Sequence, residues 1–298
     1  MELPQTGHEP VLMHEVLDLL APQAGQTFVD CTLGRAGHAT EVAKRLGSNG
    51  LLIGIDTDER NLDYARQRLQ DAPCRVRLFH ANFSQLREVL EEAEVSAADA
   101  ILADLGLSTN QLFDPHYGLS FAQDALLDMR LDQSSGQTAA DLIHSLPEGK
   151  LADILFQLAD ERFSRRIARA IGEARRRAKI TTTGELADIV RGAIGRRPGE
   201  MIDPATRTFL ALRMAVNHET ENLQSLLNDA PGVMKKGGRL GIISFQSTED
   251  RIVKLAFRKA QQDGVLEIVT KKPVGPDDRE VGNNPRSRSS KLRVAVKV

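Results

Sequence analysis

The chain has 298 residues, 27% of them charged, and a net charge of −2, so a nucleic-acid partner would have to be met by a local basic surface and not by the chain as a whole. Hydrophobic residues make up 41%, aromatics only 4%, and Trp is absent, so the core must be built mainly from Leu, Ile, Val and Ala. Cys31 and Cys74 form no C-x-x-C pair, which argues against a zinc site or disulfide framework and fits a reducing cytosol. No apolar run reaches membrane-spanning length or makes a signal-peptide core.

In chain order, Val11, Leu12, Val16, Leu19 and Leu20 predict an apolar helical stripe, with His14 and Glu15 on it and His8 just before it. The stretch Thr27–His38 follows and organises the rest. An apolar strand (Phe28, Val29) closes on Asp30, a loop carries Gly34 and Gly37, and a helix begins with Ala39, Val42, Ala43 and Leu46 at helical spacing. Asp56 closes the next apolar strand, Leu51–Asp56, 19 residues past Gly37. That offset suits a carboxylate accepting hydrogen bonds from ribose hydroxyls.

A dinucleotide fingerprint would place glycine where Thr32 stands and a third glycine after Gly37, and neither is present. An acid before the loop is a poor neighbour for a pyrophosphate and a good one for a cationic amino-acid end. The loop therefore favours S-adenosylmethionine over a dinucleotide, the remaining alternative being an ordinary tight strand-to-helix turn.

Glu59–Leu69 reads as a helix and Val76–His80 as a third strand, leading to Phe83, which suits either an adenine face or plain core packing. The near-continuously apolar Ala98–Leu105 reads as a buried parallel strand ending at Asp104. Asp30, Asp56, Phe83 and Asp104 thus all fall at or just past strand ends, where open parallel sheets bind ligands. Gly106 to Gly136 is loop-rich and long enough for a lid or binding loop.

Residues 137–203 read as helices without strands and predict an inserted helical subdomain over 136–205 within an α/β domain of 1–135 and 206–298. On one of its helices Phe163, Ile167, Ala170, Ile171 and Ala174 form the inner stripe. Arg162, Arg165, Arg166 and Arg169 lie on the other side. Residues 162–179 hold seven Arg and one Lys against one acid, Glu173, which suits a phosphate backbone; the alternative is a solvated face with acidic partners. Phe209 to Leu226 reads as one long helix, Leu240–Phe245 as a strand after the turn Lys236-Gly237-Gly238-Arg239, and Arg251–Ala260 as a helix. Asn283–Ser290 is a basic polar loop with Arg286 and Arg288, a connector or second phosphate contact, before a terminal strand at Leu292–Val298.

These motifs together resemble the ribosomal RNA small subunit methyltransferase H family. The resemblance rests on His8-x-Pro10-Val11-Leu12, Asp30-x-Thr32-x-Gly34-x-x-Gly37-His38, Asp104-Leu105-Gly106-x-Ser108-x-x-Gln111 and Leu127-Asp128-Met129-Arg130. Glu161-Arg162-Phe163, Pro204–Arg213 and Asn284-Pro285-Arg286-x-Arg288-Ser289-Ser290 extend it over nearly the whole chain. It implies a Rossmann-like class I methyltransferase sheet with a helical insertion. It also implies a bacterial cytoplasmic enzyme that methylates N4 of a cytosine in 16S ribosomal RNA, in the decoding region of the small subunit. S-adenosylmethionine would be the donor, with no metal and no membrane. Carried over by motif, the cofactor contacts are Ala36, Gly37, His38, Asp56, Phe83, Asp104 and Gln111.

Two residues depart from the family pattern: Ala36 stands where glycine is expected, and Gln246 where histidine is expected. A cytosine amino group needs hydrogen-bond acceptors to become nucleophilic, so Asp104 is the expected catalytic residue, with Ser108 orienting the base. An oxidoreductase on a related fold and a non-catalytic RNA-binding assembly factor are the competing readings.

Overall fold

The computed structural model describes residues 10–195 and 202–298, so His8 lies outside the described residues. The described residues divide into two compact units: 10–106 together with 220–298, and 107–195 together with 202–219.

The first unit is an α/β sheet of β1 (Thr27–Asp30), β2 (Leu51–Asp56), β3 (Arg75–His80), β4 (Ala98–Asp104), β5 (Met234–Ser244), β6 (Leu266–Ile268) and β7 (Lys291–Lys297). They run in the order β3-β2-β1-β4-β5-β7-β6. β1 to β5 pair in parallel, while β7 is antiparallel to both β5 and β6. This is the Rossmann-like α/β fold expected from the sequence. β2 is buried along its whole length because helices cover both faces, which is why it reads as an unbroken apolar run. One face packs with α1 (Met13–Leu20), α2 (Gly37–Leu46) and α3 (Glu59–Arg68) around Phe28, Leu52 and Leu102. The other packs α4 (Leu86–Glu92) and later helices around Val29, Ile53 and Ile101.

Two expectations for this unit change. The Lys236–Arg239 turn is part of β5, where the register against β4 shifts between Ala98 and Ala100 and Gly237 takes φ 78°. Glycine there lets a bulged strand bend without breaking. The segment at 283–290 follows directly on a short helix that ends at Asn283 and is itself mostly a 3-10 turn, Pro285–Ser289, and not a disordered connector. Ser287 and Ser290 are buried in it, and the Ser290 hydroxyl donates to the Ser287 carbonyl at 2.7 Å.

The second unit is helical: α5 (Thr109–Phe113), α6 (Ala139–Ser145), α7 (Glu148–Ala159), α8 (Ser164–Arg175), α9 (Thr183–Ile194) and α10 (Thr206–Val216). It is wider than the 136–205 expected, beginning at Leu107 and ending at Glu219. The loop-rich stretch read as a lid belongs to its interior, because Tyr117, Leu119, Leu127 and Met129 are buried in the same core as Ile167, Ile171 and Leu212. The predicted long helix from Phe209 to Leu226 is broken at Asn217-His218, and α11 (Glu219–Asp229) follows. Asn217 donates its side-chain amide to the Met129 carbonyl at 2.8 Å and accepts the Leu131 N–H at 2.8 Å, and His218 turns left-handed at φ 50°. Side-chain bonds of this kind compete with the helix ladder.

The last helices are α12 (Ser247–Gln262) and α13 (Asp278–Asn283), both in the α/β unit.

Candidate active site

The loop after β1 is fastened to two carboxylates. Thr32 N–H donates to Asp30 Oδ1 at 3.2 Å. Gly34 N–H donates to Asp56 Oδ2 at 2.7 Å, while Asp58 N–H reaches Asp56 Oδ1 at 2.8 Å. Gly34 sits at φ 51° and Ala36 at φ 59°, both left-handed. For Ala36 that conformation costs roughly 1–2 kcal/mol. Its methyl is fully buried in the core, so the departure from glycine adds packing and does not open onto a ligand space. The Ala36 turn starts α2, whose first residues are Gly37 and His38.

The N-terminal segment covers this loop. A Cβ on Gly37 would lie 3.2 Å from the ring of Pro10, so glycine lets that ring sit against the start of the helix. The carbonyl of Val11 can only accept, so at 2.8 Å it takes the Nε2–H of His38 and leaves Nδ1 facing Asp104. Leu12 N–H in turn donates to Glu280 Oε1 on α13 at 2.8 Å. These contacts link positions 27 and 268 residues apart, beyond what a sequence pattern reveals.

Three acids gather at or beyond the ends of β1, β4 and β5. Asp104 Oδ1 is buried with no hydrogen-bond partner, and Oδ2 lies 3.9 Å from His38 Nδ1. Its own N–H is held by Thr32 Oγ1 at 2.6 Å. Glu249 is buried beyond β5, accepting the N–H groups of Phe245 and Gln246 at 3.0 Å each. Burial foremost, with the charges of Asp30 and Glu249, pushes Asp104 up to about 8. Burial, against the Thr32 N–H, takes Asp30 to about 7. Burial also takes Asp56 to about 6, against the N–H groups of Asp58 and Gly34 that favour its charged form. Thr32, Glu249 and Glu280 are not among the site residues expected from the sequence. Only Thr32, inside the Asp30 motif, carried a local signal.

Ser108 and Gln111 lie in the helical unit and form the N-terminal cap of α5. The Ser108 hydroxyl donates to Gln111 Oε1 and accepts the Gln111 N–H, both at 3.2 Å. Phe83 is half-buried just past β3 and packs on the sheet core, leaving one side accessible. Gln246 stands immediately before α12.

The arginine helix is as expected on its inner side, with Ile167 and Ile171 fully buried. Arg162, Arg165, Arg166 and Arg169 are exposed and make no ion pair among the described residues. Further along the same stretch Arg176 pairs with Glu148 at 3.1 Å and Arg175 donates to the Leu146 carbonyl at 2.7 Å. Acidic partners therefore do not cover the first four. Arg286 and Arg288 are exposed on the 3-10 turn.

The model of the MraW methylase family matches residues 5–298. The chain belongs to this family. It is 44% identical to the ribosomal RNA small subunit methyltransferase H of Citrifermentans bemidjiense, covering 98% of each chain. It is 46% identical to that of Sorangium cellulosum, covering 98% of this chain and 91% of the relative. A solved rRNA methylase from Streptococcus thermophilus aligns over 96% of this chain and 93% of its own at 11% identity, with a TM-score of 0.44. The resemblance drawn from the motifs is thus borne out, and this MraW-family chain is an S-adenosylmethionine-dependent methyltransferase.

The residues present fit that donor. Asp104 Oδ1 is a buried acceptor without a partner, and a cationic ligand beside it and Asp30 would offset both burial and their mutual repulsion. Asp56 keeps acceptor capacity beyond the two short N–H bonds it receives, since a carboxylate offers about four lone-pair sites. Among the described residues no group of three or more metal-binding side chains occurs, and no helix is long and apolar enough to cross a membrane.

Proposed function

We propose that this enzyme methylates N4 of a cytosine in the decoding region of 16S ribosomal RNA, in the cytoplasm. The names of its relatives supply the RNA class. The observation that carries the atom is Asp104 Oδ1, a buried carboxylate oxygen with nothing donating to it, at the end of the central strand β4. The cytosine amino lone pair is delocalised into the ring. An acceptor for an N4 hydrogen favours a pyramidal nitrogen whose lone pair can attack.

When bound, S-adenosylmethionine supplies a methyl group on a cationic sulfur. Asp104 accepts one N4 hydrogen, and as the N4–methyl bond forms and the sulfur–methyl bond breaks, its electron pair staying on a now neutral thioether sulfur, Asp104 takes the proton that N4 must lose. Burial lifts this carboxyl to about 8 in the ligand-free protein, and a cationic donor beside it returns it toward the ionised form that can accept the proton. Thr32 fixes the Asp104 backbone, and His38, anchored on Val11, lines the carboxylate. Asp56 holds ribose hydroxyls, Phe83 offers its accessible side to the adenine, and Gly37 gives the backbone close approach. Ala36 contributes through its turn and Gln111 by shaping the chain after β4. Ser108 acts on the base only through the turn that it caps, since its hydroxyl is engaged there. The target base must leave its stack to reach this buried carboxylate.

The helical unit is the RNA-recognition part, gripping phosphates through Arg162, Arg165, Arg166 and Arg169, with Arg286 and Arg288 as further contacts. The test is nucleoside mass mapping. 16S ribosomal RNA from a strain lacking this gene is incubated with enzyme and donor, digested and sequenced by mass. N4-methylcytidine in the decoding region is expected; a methyl on C5, on ribose or on another base overturns the assignment.

A further inference from the structure

We propose that the outward face of α12 is a second docking surface for the substrate RNA, gripping its phosphate backbone from the α/β unit. This rests on the ribosomal RNA reading above and extends it to a region that no motif marks.

α12 packs on the sheet through Val253 and Phe257, both buried. Helical spacing then turns Arg251, Lys254, Leu255, Arg258 and Lys259 outward. Arg251, Leu255, Arg258 and Lys259 are exposed and Lys254 is half-exposed. None of the four cations makes an ion pair among the described residues. The two acids of the helix are otherwise occupied: Glu249 is buried, and Asp250 is bound by Arg293 at 2.7 Å. Asp263 follows the helix as a single exposed acid. On the adjoining β6, Leu266 joins the core shared with α12, so strand alternation sends Glu267 to the other face. Lys271 and Lys272 lie exposed just after that strand.

The rest of this unit does not look like this. α2 pairs Lys44 with Glu41 and α3 pairs Arg66 with Asp63. α4 exposes Glu88, Glu91 and Glu92, and its Arg87 is held by Asp229. In a chain of net charge −2, a face of four uncompensated cations needs an anionic occupant more than an ordinary solvated face does.

Charge complementarity and geometry choose RNA. Side chains three and four apart repeat about every 5–6 Å, giving a row of point charges along a rod. A phosphate chain offers the matching row of anions. The apolar side of α12 is consumed by the sheet, so it has nothing to insert into a lipid surface. On α12 itself Leu255, 57% exposed, is the one large apolar side chain exposed, far below the apolar core that a stable protein interface needs.

The experiment uses the full chain and a transcript of 16S ribosomal RNA spanning the decoding region. The variant K254A/R258A/K259A should leave S-adenosylmethionine affinity and the rate at saturating RNA unchanged and raise the KM for RNA. The slope of log affinity against log salt should fall by roughly 2 to 3, about 0.7–0.9 for each lost phosphate contact. The charge-preserving variant K254R/R258K/K259R should keep the wild-type slope, which separates charge from any loss of folding. An Ala variant with the wild-type slope overturns the inference, whether the face serves an acidic protein or only solvent. A wild-type enzyme without salt-dependent binding to this transcript would instead sink the ribosomal RNA reading itself.

Discussion

Two clusters of like charge lie in this molecule under opposite conditions. Asp30 and Asp56 are buried at strand ends and Asp104 is partly buried there with its Oδ1 enclosed, while Arg162, Arg165, Arg166 and Arg169 are exposed around the start of α8. Both lack the counter-charges that a purely structural cluster would have. The acids answer by holding protons, because a carboxyl can become neutral and a buried one does so readily. Guanidinium groups stay charged, and water and salt screen them instead. Ligand binding at the acids should therefore read out in pH, and binding at the arginines in salt.

The largest effect expected is on the chemistry. Asp104→Asn keeps the size and removes the charge, one acceptor site and the proton site. Single-turnover methyl transfer should fall by about 10²–10³-fold, with RNA affinity changed by no more than about twofold. The same variant tests the protonation argument without any ligand. A carboxyl raised in the folded state favours folding fully below its unfolded value of 3.8, and that contribution is lost as the pH rises through about 7 for Asp30 and about 8 for Asp104. The melting temperature of the ligand-free protein should thus decline from pH 6 to 8.5, and Asp104→Asn should make the decline shallower. A near-native rate, or an unaltered decline, removes Asp104 from the role given to it.

Asp56→Ala comes next. It removes acceptors for the ribose, worth about 1.5–3 kcal/mol of donor affinity. It also frees the Gly34 and Asp58 N–H groups, so a lower melting temperature should accompany it. An unchanged calorimetric affinity would end the ribose assignment. The smallest effect is expected on the exposed side. Changing Arg165, Arg166 and Arg169 together to Ala should lower the salt slope of RNA binding by about 2 to 3 and leave cofactor affinity alone. A lowered melting point with an unchanged slope would mean that these arginines support the fold and not the RNA.

The comparison also explains what the sequence makes legible. β2 and β4 announce themselves because burial on both faces demands unbroken apolar runs, and the acids at their ends stand out against them. The inner stripe of α8 is legible for the same reason at helical period. Edge and bent elements are not: β6 has three residues, and β5 carries an exposed Lys235–Gly237 stretch that reads as a turn. Residues 107–135 hide their burial of Tyr117 and Met129 among polar neighbours. The site divides likewise. Asp30, Asp56 and Asp104 are local signals, but Val11 against His38, Glu280 against Leu12 and Glu249 beside Asp104 are made only by the fold.

The strand-end carboxyls stay partly protonated until a cationic donor arrives. Calorimetric titration with S-adenosylmethionine at pH 7, in buffers of different ionisation enthalpy, tests it directly. Binding of a cation lowers the carboxyl pKa values, so the complex holds fewer protons than the free protein and affinity must rise with pH. The result predicted is proton release, seen as an observed heat that changes with the buffer, and a dissociation constant that falls between pH 6 and 8. An observed heat independent of buffer, with affinity flat across that range, would contradict the account.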